Sequence, residues 1–202
     1  MLIKRLFDII ASAVALLLLL PLLLLVGLFV RLKLGSPVFF QQVRPGLNEK
    51  TFNMLKFRTM TDERDAEGKL LPDSIRLTPF GSFLRKTSLD ELPELINILK
   101  GDMSFVGPRP LLIEYLDYYT DDEKLRHTVR PGLTGLAQVS GRNHVLWDDR
   151  LALDVKYVKE WTFWLDIQIL FKTVLQVTRS KDVVVVPSSK FGKLSDERKK
   201  FK

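Results

Sequence analysis

Two adjacent carboxylates, Asp90 and Glu91, are the residues of this sequence best suited to chemistry. They follow Ser88, a residue type that often begins a helix, and helix N-termini favour anions and phosphate groups. Two such oxygen ligands can hold Mg²⁺, which normally completes its coordination shell with substrate phosphates. An aspartate can also attack phosphorus as a nucleophile. The pair is therefore a candidate for phosphoryl transfer, although Ser88 and Glu91 also fit an ordinary capping box.

Basic residues occur in segments that could surround this acidic pair. Attack on a phosphorus that already carries negative charge needs cations in the transition state, and arginine forks supply them well. Arg109 lies between Pro108 and Pro110, which would hold its guanidinium on a stiff loop; a plain surface turn is the alternative. The other candidates are Lys56, Arg58 and Arg85.

Helical wheels place Asp90 and Asp154 on different faces of their predicted helices. On a wheel of the segment from Ser88 to Leu99, Asp90 points away from the apolar stripe and toward a cleft. On a wheel of the segment from Trp147 to Glu160, Asp154 falls on the apolar side. A buried carboxylate needs a partner, so we expect Asp154 to pair with an arginine or lysine, either orienting the site or only fixing the helix.

Short elements are predicted around these residues. Strands are expected at Val38–Gln42 and Thr51–Phe57, on either side of a Pro45-Gly46 turn. Residues 60–74 are polar and predict a mobile or merely solvated loop, and residues 130–141 predict a turn-rich loop with at most a brief strand. Helices are predicted after Thr78-Pro79, at Ser88–Leu99, after a capping box at Thr120–Glu123, and at Trp147–Glu160 and Phe163–Thr178.

The N-terminal segment is long and apolar. Ile9–Val30 comprises 22 residues without a charge, and about 20 suffice to cross a bilayer core. Pro21 falls in the middle, and basic residues flank both ends, so the positive-inside rule gives no orientation. We expect a helix broken at Pro21 that enters one leaflet and returns; a spanning helix or a cleaved signal peptide are the alternatives.

Composition excludes several classes of site. The 202 residues include no cysteine, which excludes disulfides and thiolate chemistry, and the two histidines, His127 and His144, lack metal-ligand spacing. The net charge of +7 indicates an anionic partner. The aromatic segment Phe163–Thr178 suits a helix lying in the membrane interface, with core packing as the alternative. The charged end from Lys190 onward is expected to be solvated.

Several motifs in a fixed order resemble the monotopic phosphoglycosyl transferases, small membrane enzymes that begin bacterial glycan assembly on a polyprenyl carrier. The resemblance is strongest to the small type that transfers N,N'-diacetylbacillosamine 1-phosphate. One departure is Leu20-Pro21, where the family commonly has Ser-Pro. The motifs are RPG (Arg44–Gly46), KFRTM (Lys56–Met60), SLDELPEL (Ser88–Leu95), NILKGDMSFVGPRPLL (Asn97–Leu112), RPGLTGLAQVSGRN (Arg130–Asn143) and DVKYV (Asp154–Val158).

The resemblance implies an α/β, mainly helical fold. It would consist of a re-entrant membrane helix (1–34), a compact cytosolic catalytic domain with amphipathic interfacial helices (35–180) and a C-terminal tail (181–202). It also implies that Asp90 attacks the sugar-side phosphorus of a UDP-sugar, that UMP leaves, and that polyprenyl (undecaprenyl) phosphate then attacks the phosphosugar aspartate. The enzyme would act at the cytoplasmic face of the bacterial inner membrane.

The same resemblance implies roles for the candidate residues. Glu91 would form the catalytic pair with Asp90 and help to bind Mg²⁺, and Asp154 would support the site. The implied partners are a UDP-sugar, polyprenyl phosphate and membrane lipids, with a possible homodimer and no nucleic acid. Residues implied to bind substrate phosphates are Lys56, Arg85, Arg109 and Arg142.

Two other functions are compatible with the composition. A metal-dependent glycosyl transferase would pass on the sugar alone and release UDP. A non-catalytic membrane adaptor would use only the positive charge of the chain, but no nucleic-acid-binding motif is present to support a polymer-binding version of it. The sequence leaves the identity of the sugar open.

Overall fold

The computed structural model describes residues 2–141, 146–179, 192 and 194–199. The first element is helix α1 (Leu2–Leu34), whose 33 residues are long and apolar enough to cross a membrane by length and composition alone. The predicted break at Pro21 is corrected, because the helix continues through this residue. A proline removes only one helical hydrogen bond, and apolar helices tolerate it when neighbouring groups compensate.

The predicted strands form a β-hairpin. β1 (Phe39–Pro45) and β2 (Thr51–Phe57) pair antiparallel, with Arg44 opposite Phe52. Because side chains alternate along a strand, Lys56 shares the face of Phe52 and Met54, which are buried in the core. The alternation of β2 therefore turns a lysine inward, toward the acidic segment.

The predicted loop at residues 60–74 contains regular backbone hydrogen bonding. Antiparallel bridges join Met60 to Leu77 and Arg64 to Leu70, and α2 (Asp73–Arg76) is a single helical turn. α3 (Pro79–Lys86) begins as predicted: the Thr78 hydroxyl accepts the backbone N–H of Gly81 at 3.0 Å, with proline in the first turn.

The predicted helix from Ser88 to Leu99 is corrected. Leu89–Glu91 form a 3₁₀ turn, and helix α4 spans only Glu94–Lys100, after Pro93. Ser88 has a left-handed backbone (φ 57°) and its side chain makes no cap hydrogen bond, so the expected capping box is absent here. Asp90 and Glu91 therefore lie before the α-helix and not in its first turn.

The middle of the chain adds a second small sheet and two short α-helices. β3 (Ser104–Val106) pairs in parallel with β4 (Gly132–Thr134), the brief strand expected there. Between them α5 (Asp121–Lys124) begins with the capping box of Thr120 and Glu123, as predicted. α6 (Leu136–Gly141) follows β4 and was not predicted.

The two closing helices agree with their predictions. α7 spans Trp147–Lys159 and α8 spans Phe163–Arg179. α8 has one core residue, Ile169, which is 1% exposed, but leaves Trp164, Phe171 and Val174 more than 60% exposed. This helix therefore combines core packing with an uncovered apolar face, which suits a membrane interface.

The expectation of a solvated end is corrected in part. Helix α9 (Leu194–Arg198) packs against the body, with the Leu194 side chain fully buried beside Tyr115 and Leu151. Arg198 forms ion pairs with Glu123 at 2.7 Å and Asp148 at 2.6 Å. One buried apolar residue and the ion pairs of Arg198 thus hold this part of the tail against the body.

α1 contacts the body near both of its ends. At the start, Lys4 pairs with Asp166 of α8, and Arg5 donates to the Ile98 carbonyl at 2.7 Å. At the end, Val30 and Leu34 join a buried cluster with residues of β2 and α3. The helix is therefore fixed to the body of the protein near both of its ends.

Candidate active site

One large cavity, of about 1570 Å³, collects most of the predicted site residues. Its wall includes the acidic pair from the 3₁₀ turn, the inward lysine of β2 and arginines from α3 and the proline-flanked loop. Arg142 lies outside the described residues. The predicted residues that line this cavity are Lys56, Arg58, Arg85, Asp90, Glu91, Arg109 and Asp154.

Asp90 is a buried carboxylate on the cavity wall, 8% exposed. Burial, and secondarily the negative charge of Glu91, raises the pKa of Asp90 to about 6. The charges of Lys56, Arg85 and Arg109 oppose this rise. The side chain faces the cavity as predicted, although the 3₁₀ turn and not an α-helical face directs it there.

Glu91 holds two cations beside Asp90. Its Oε1 accepts a hydrogen bond from Lys56 Nζ at 2.6 Å and another from Arg109 Nη2. Burial alone would raise the pKa of Glu91, but the charges and hydrogen bonds of Arg109 and Lys56 outweigh it and hold that pKa far below its usual range. Glu91 therefore stays ionised and fixes the two basic side chains.

Glu94 is a third acid that sequence reasoning missed. It is 1% exposed, and its Oε1 lies 3.2 Å from Lys56 Nζ. Burial, followed by the charge of Glu91, raises the pKa of Glu94 to about 7. Its position three residues after Glu91, the spacing of neighbours on a helix face, was the available signal.

The Arg109 loop is held by a buried ion pair. Arg126 Nη2 donates to the Arg109 carbonyl at 2.7 Å and to Asp154 Oδ2 at 2.8 Å. Both Arg126 and Asp154 are at most 3% exposed. The predicted pairing of Asp154 is thus confirmed, and Arg126 is a partner that no local pattern indicated.

The two remaining basic candidates differ in what they bind. Arg85 Nε donates to Thr59 Oγ1 at 3.0 Å, which holds the side chain on the cavity wall. Arg58 donates to the carbonyls of Ser36 and Met60 and pairs with the Asp62 carboxylate, so its guanidinium joins the backbone at Ser36 to the segment that follows β2. The role of Arg58 is therefore to position the backbone of the cavity wall and not to bind a ligand.

Metal ligands are sparse among the described residues. No group of three or more histidine, aspartate or glutamate side chains in that part of the chain is placed to hold an ion. The two carboxylates of Asp90 and Glu91 fit Mg²⁺, which is commonly bound by one or two carboxylates together with substrate phosphates. His127 instead packs against the Tyr119 ring, and His144 lies outside the described residues.

The cavity wall has parts of opposite character. One part is apolar and includes Ala15 and Leu19 of α1 and Leu133 of β4. Another part is aromatic and cationic and includes Trp147 and Arg150 of α7. The cavity could therefore accommodate two kinds of ligand near Asp90, one with an apolar chain and one with a polar, planar group.

The chain is similar to known proteins over most of its length. The model of the family described as bacterial sugar transferase matches residues 1–180. The "Uncharacterized sugar transferase EpsL" of Bacillus subtilis is 54% identical over 183 residues, 91% of each chain. The "Exopolysaccharide production protein ExoY" of Rhizobium meliloti is 43% identical over 88% of this chain and 86% of its own. The "UDP-glucose:undecaprenyl-phosphate glucose-1-phosphate transferase" of Klebsiella pneumoniae is 41% identical over 87% of this chain but only 40% of its own.

Proposed function

The chain belongs to the bacterial sugar transferase family, and we propose that it transfers a sugar 1-phosphate from a UDP-sugar to undecaprenyl phosphate with release of UMP. The name of the Klebsiella relative, which describes this type of transfer, supports the choice of donor and acceptor. The observation that carries the mechanism is the position of Asp90, buried on the cavity wall amid the charges of Lys56, Arg85 and Arg109.

The reaction proceeds in two displacements. A carboxylate oxygen of Asp90 attacks the sugar-side phosphorus, the bond from that phosphorus to the bridging oxygen breaks, and UMP leaves with the electron pair. A phosphate oxygen of the acceptor then attacks the same phosphorus and displaces Asp90, giving a polyprenyl diphosphate sugar. Lys56, Arg85 and Arg109 stabilise the negative charge that develops in each transition state.

The main role of Glu91 is to position the side chains of Lys56 and Arg109. Its carboxylate fixes Lys56 and Arg109 next to the reacting phosphorus, so these cations need not reorganise during the reaction. Asp90 and Glu91 would also hold Mg²⁺ together with the donor phosphates, and the ion would supply further neutralisation of charge. Chelation should therefore abolish adduct formation, and added Mg²⁺ should restore it.

A monotopic arrangement brings this site to its lipid acceptor. The contacts at both ends of α1 support a helix whose two ends lie on one side of the bilayer, with the body on the cytoplasmic face of the inner membrane. The exposed apolar face of α8 supports contact with the headgroup region. The apolar wall near Ala15 and Leu19 would let a polyprenyl phosphate reach Asp90 from the membrane side.

Covalent labelling tests the nucleophile. Wild-type protein incubated with a UDP-sugar labelled at the β-phosphorus should retain label, and Asp90→Asn should retain none because an amide is a poor nucleophile. Asp117→Asn, which removes an exposed carboxylate, is the matched control and should label normally. Normal turnover by Asp90→Asn would overturn the assignment.

Product analysis tests the type of transfer. Release of UMP from a panel of UDP-sugars, in the presence of undecaprenyl phosphate, is the expected result. Release of UDP would instead establish a simple glycosyl transferase. The same panel identifies the sugar, for which the resemblance to the bacillosamine type and the glucose named for the Klebsiella relative are alternative starting points.

A further inference from the structure

One part of the cavity wall is not used by the proposed chemistry at Asp90. Arg44 of β1, Tyr115, and Trp147 and Arg150 of α7 line this region, which we call the arginine–tryptophan end. Its side chains are cationic and planar, and that combination suits a ligand with both a phosphate and a flat ring.

Arg44 has hydrogen-bonding capacity that the described residues leave unused. Its Nη2 donates to Gln42 Oε1 at 2.6 Å, but its Nε is buried and has no hydrogen-bond partner in the described part of the chain. Burial, and then the like charge of Arg109, lowers the pKa of Arg44 to about 10. A buried unpaired donor next to a second guanidinium is unfavourable, and an anion between the two would relieve both costs.

The other side chains of this region present planar surfaces. The Arg150 guanidinium lies over the Trp147 ring, 4.7 Å from its centroid, and the Tyr115 ring meets Trp147 edge-on at 5.4 Å. Guanidinium and aromatic planes stack with nucleobases, and guanidinium N–H groups can donate to base carbonyls. The Trp147 indole N–H donates to the Gly192 carbonyl at 2.9 Å, which fixes the orientation of the ring.

Arg109 connects this region with the nucleophile. Its charge acts on Asp90 and also on Arg44 and Arg150. Arg109 lines the same cavity as both groups, and Arg126 joins its backbone to Asp154 on α7, the helix of Arg150. In a nucleoside diphosphate sugar the second phosphate likewise lies between the sugar-side phosphorus and the nucleoside.

We propose that the arginine–tryptophan end binds the nucleoside monophosphate half of the donor. Arg44 and Arg109 bind the phosphate that leaves with UMP, and Arg150 with Trp147 binds the base. This inference rests on the proposed function, because it assumes a nucleoside diphosphate sugar as donor. It adds the residues that hold the leaving group, and the Gly192 contact brings in a segment beyond the family match at residues 1–180.

Direct binding of two ligands separates the phosphate part from the base part. The full chain in detergent micelles is titrated with UMP and with ribose 5-phosphate, which lacks the base. Loss of one charged hydrogen-bond donor should weaken binding by about tenfold, so Arg44→Gln should weaken both ligands to that extent. Arg150→Gln should weaken UMP about tenfold and ribose 5-phosphate by less than about twofold.

Controls keep this test independent of folding and of the proposed reaction. Lys156→Gln removes an exposed charge on the same helix as Arg150 and should bind both ligands like wild type. Arg44→Lys keeps the charge and should bind UMP more tightly than Arg44→Gln, and the circular dichroism of each variant should match wild type. Asp90→Asn should still bind UMP.

Two negative outcomes have different meanings. If wild-type protein forms the adduct and releases UMP but Arg44→Gln and Arg150→Gln bind UMP within about twofold of it, the nucleotide site is wrong and the proposed function stands. If wild-type protein forms no adduct and releases no UMP with any donor, the proposed function itself is wrong. Equal weakening of UMP and ribose 5-phosphate by Arg150→Gln would overturn the assignment of the base.

Discussion

The ion pair of Arg126 and Asp154 holds the backbone of the Arg109 loop in place. It joins α7 to the backbone of Arg109, whose side chain reaches Glu91. Both members are almost completely buried, so neither charge can be hydrated if the other is lost. The pair therefore couples the stability of the fold to the position of a cation that the proposed reaction uses.

Asp154→Asn should be strongly destabilising. It leaves the Arg126 guanidinium buried without a counter-charge, which costs about 3–5 kcal/mol in comparable cases. The matched control is Glu160→Gln, which removes one member of the exposed pair with Lys156, worth at most about 1 kcal/mol. Urea unfolding of the chain in micelles measures both. Equal costs for the two variants would contradict the structural role assigned to Asp154.

His127 should make stability depend on pH. Burial, and then the charge of Arg126, lowers its pKa to about 4 from the ordinary 6.5. The unfolded chain therefore binds a proton near pH 6.5 that the folded chain does not bind until about pH 4. The contribution is complete above pH 6.5 and is lost as the pH falls toward 4, up to about 3 kcal/mol.

The free energy of unfolding, measured from pH 7 to pH 5, tests this contribution. His127→Gln cannot bind the proton in this range, so its stability should fall less steeply than that of wild type. Parallel curves for the two proteins would show that the imidazole titrates alike in the folded and unfolded states.

At the scale of elements, α3 and the end of β2 approach each other at Gly81. A Cβ built on Gly81 would lie 1.8 Å from the Thr59 carbonyl oxygen, which no side chain can accommodate. The same contact region includes the hydrogen bond from Arg85 to Thr59. The missing side chain of Gly81 thus lets the helix deliver Arg85 to the cavity.

Gly81→Ala should therefore reduce both stability and activity. The helix must move away from Thr59, at a cost of about 1–3 kcal/mol for overpacking, and Arg85 moves with it. Gly27→Ala is the matched control, because its Cβ would meet only ordinary contacts at 3.7 Å. Adduct formation and thermal unfolding measure the two effects, and an active, stable Gly81→Ala protein would contradict the packing described.

The 3₁₀ turn is the element that determines the orientation of Asp90. Ser88 enters it with a left-handed backbone, and Pro93 separates it from α4. This geometry buries Asp90 on the cavity wall while Glu91 reaches Lys56 and Arg109. The pKa of Asp90 is therefore raised, whereas the pKa of Glu91 is lowered because Glu91 has two fixed cationic partners.

For the whole molecule, the relation of α1 to the body bears on membrane topology. A straight helix of this length would extend about 50 Å, more than the roughly 30 Å of a bilayer core. Yet its start contacts α8 and its end contacts α3 and β2. A helix that crossed the bilayer could not keep both contacts with a body lying on one side.

Leu2→Cys and Ser36→Cys should therefore be accessible from the same side of the membrane. The natural chain contains no cysteine, so each variant carries a single reactive thiol, and both positions are exposed. A membrane-impermeant maleimide applied to intact and to opened vesicles measures the side. Opposite accessibility of the two thiols would establish a spanning helix.

Local patterns in the sequence predicted most of the elements. The hairpin of β1 and β2, the Thr78 cap, the capping box of Thr120 and the helices α7 and α8 depend on residues a few positions apart. The prediction was wrong at Ser88, where a cap-like sequence forms a 3₁₀ turn, and at Pro21, where the helix continues. At Ser88 a left-handed backbone replaces the geometry of a cap, and at Pro21, which is exposed, the helix continues with one hydrogen bond fewer.

The sequence by itself determined the types of residue available for chemistry, the long apolar helix and the local elements, because caps, turns and periodicity act between near neighbours. Only the tertiary structure decided which charges meet. Glu91 bonds Lys56 from 35 positions away, and Arg126 pairs with Asp154 across 28. Such partners are selected by burial, which requires each charge to find whichever opposite charge the folded chain brings within reach.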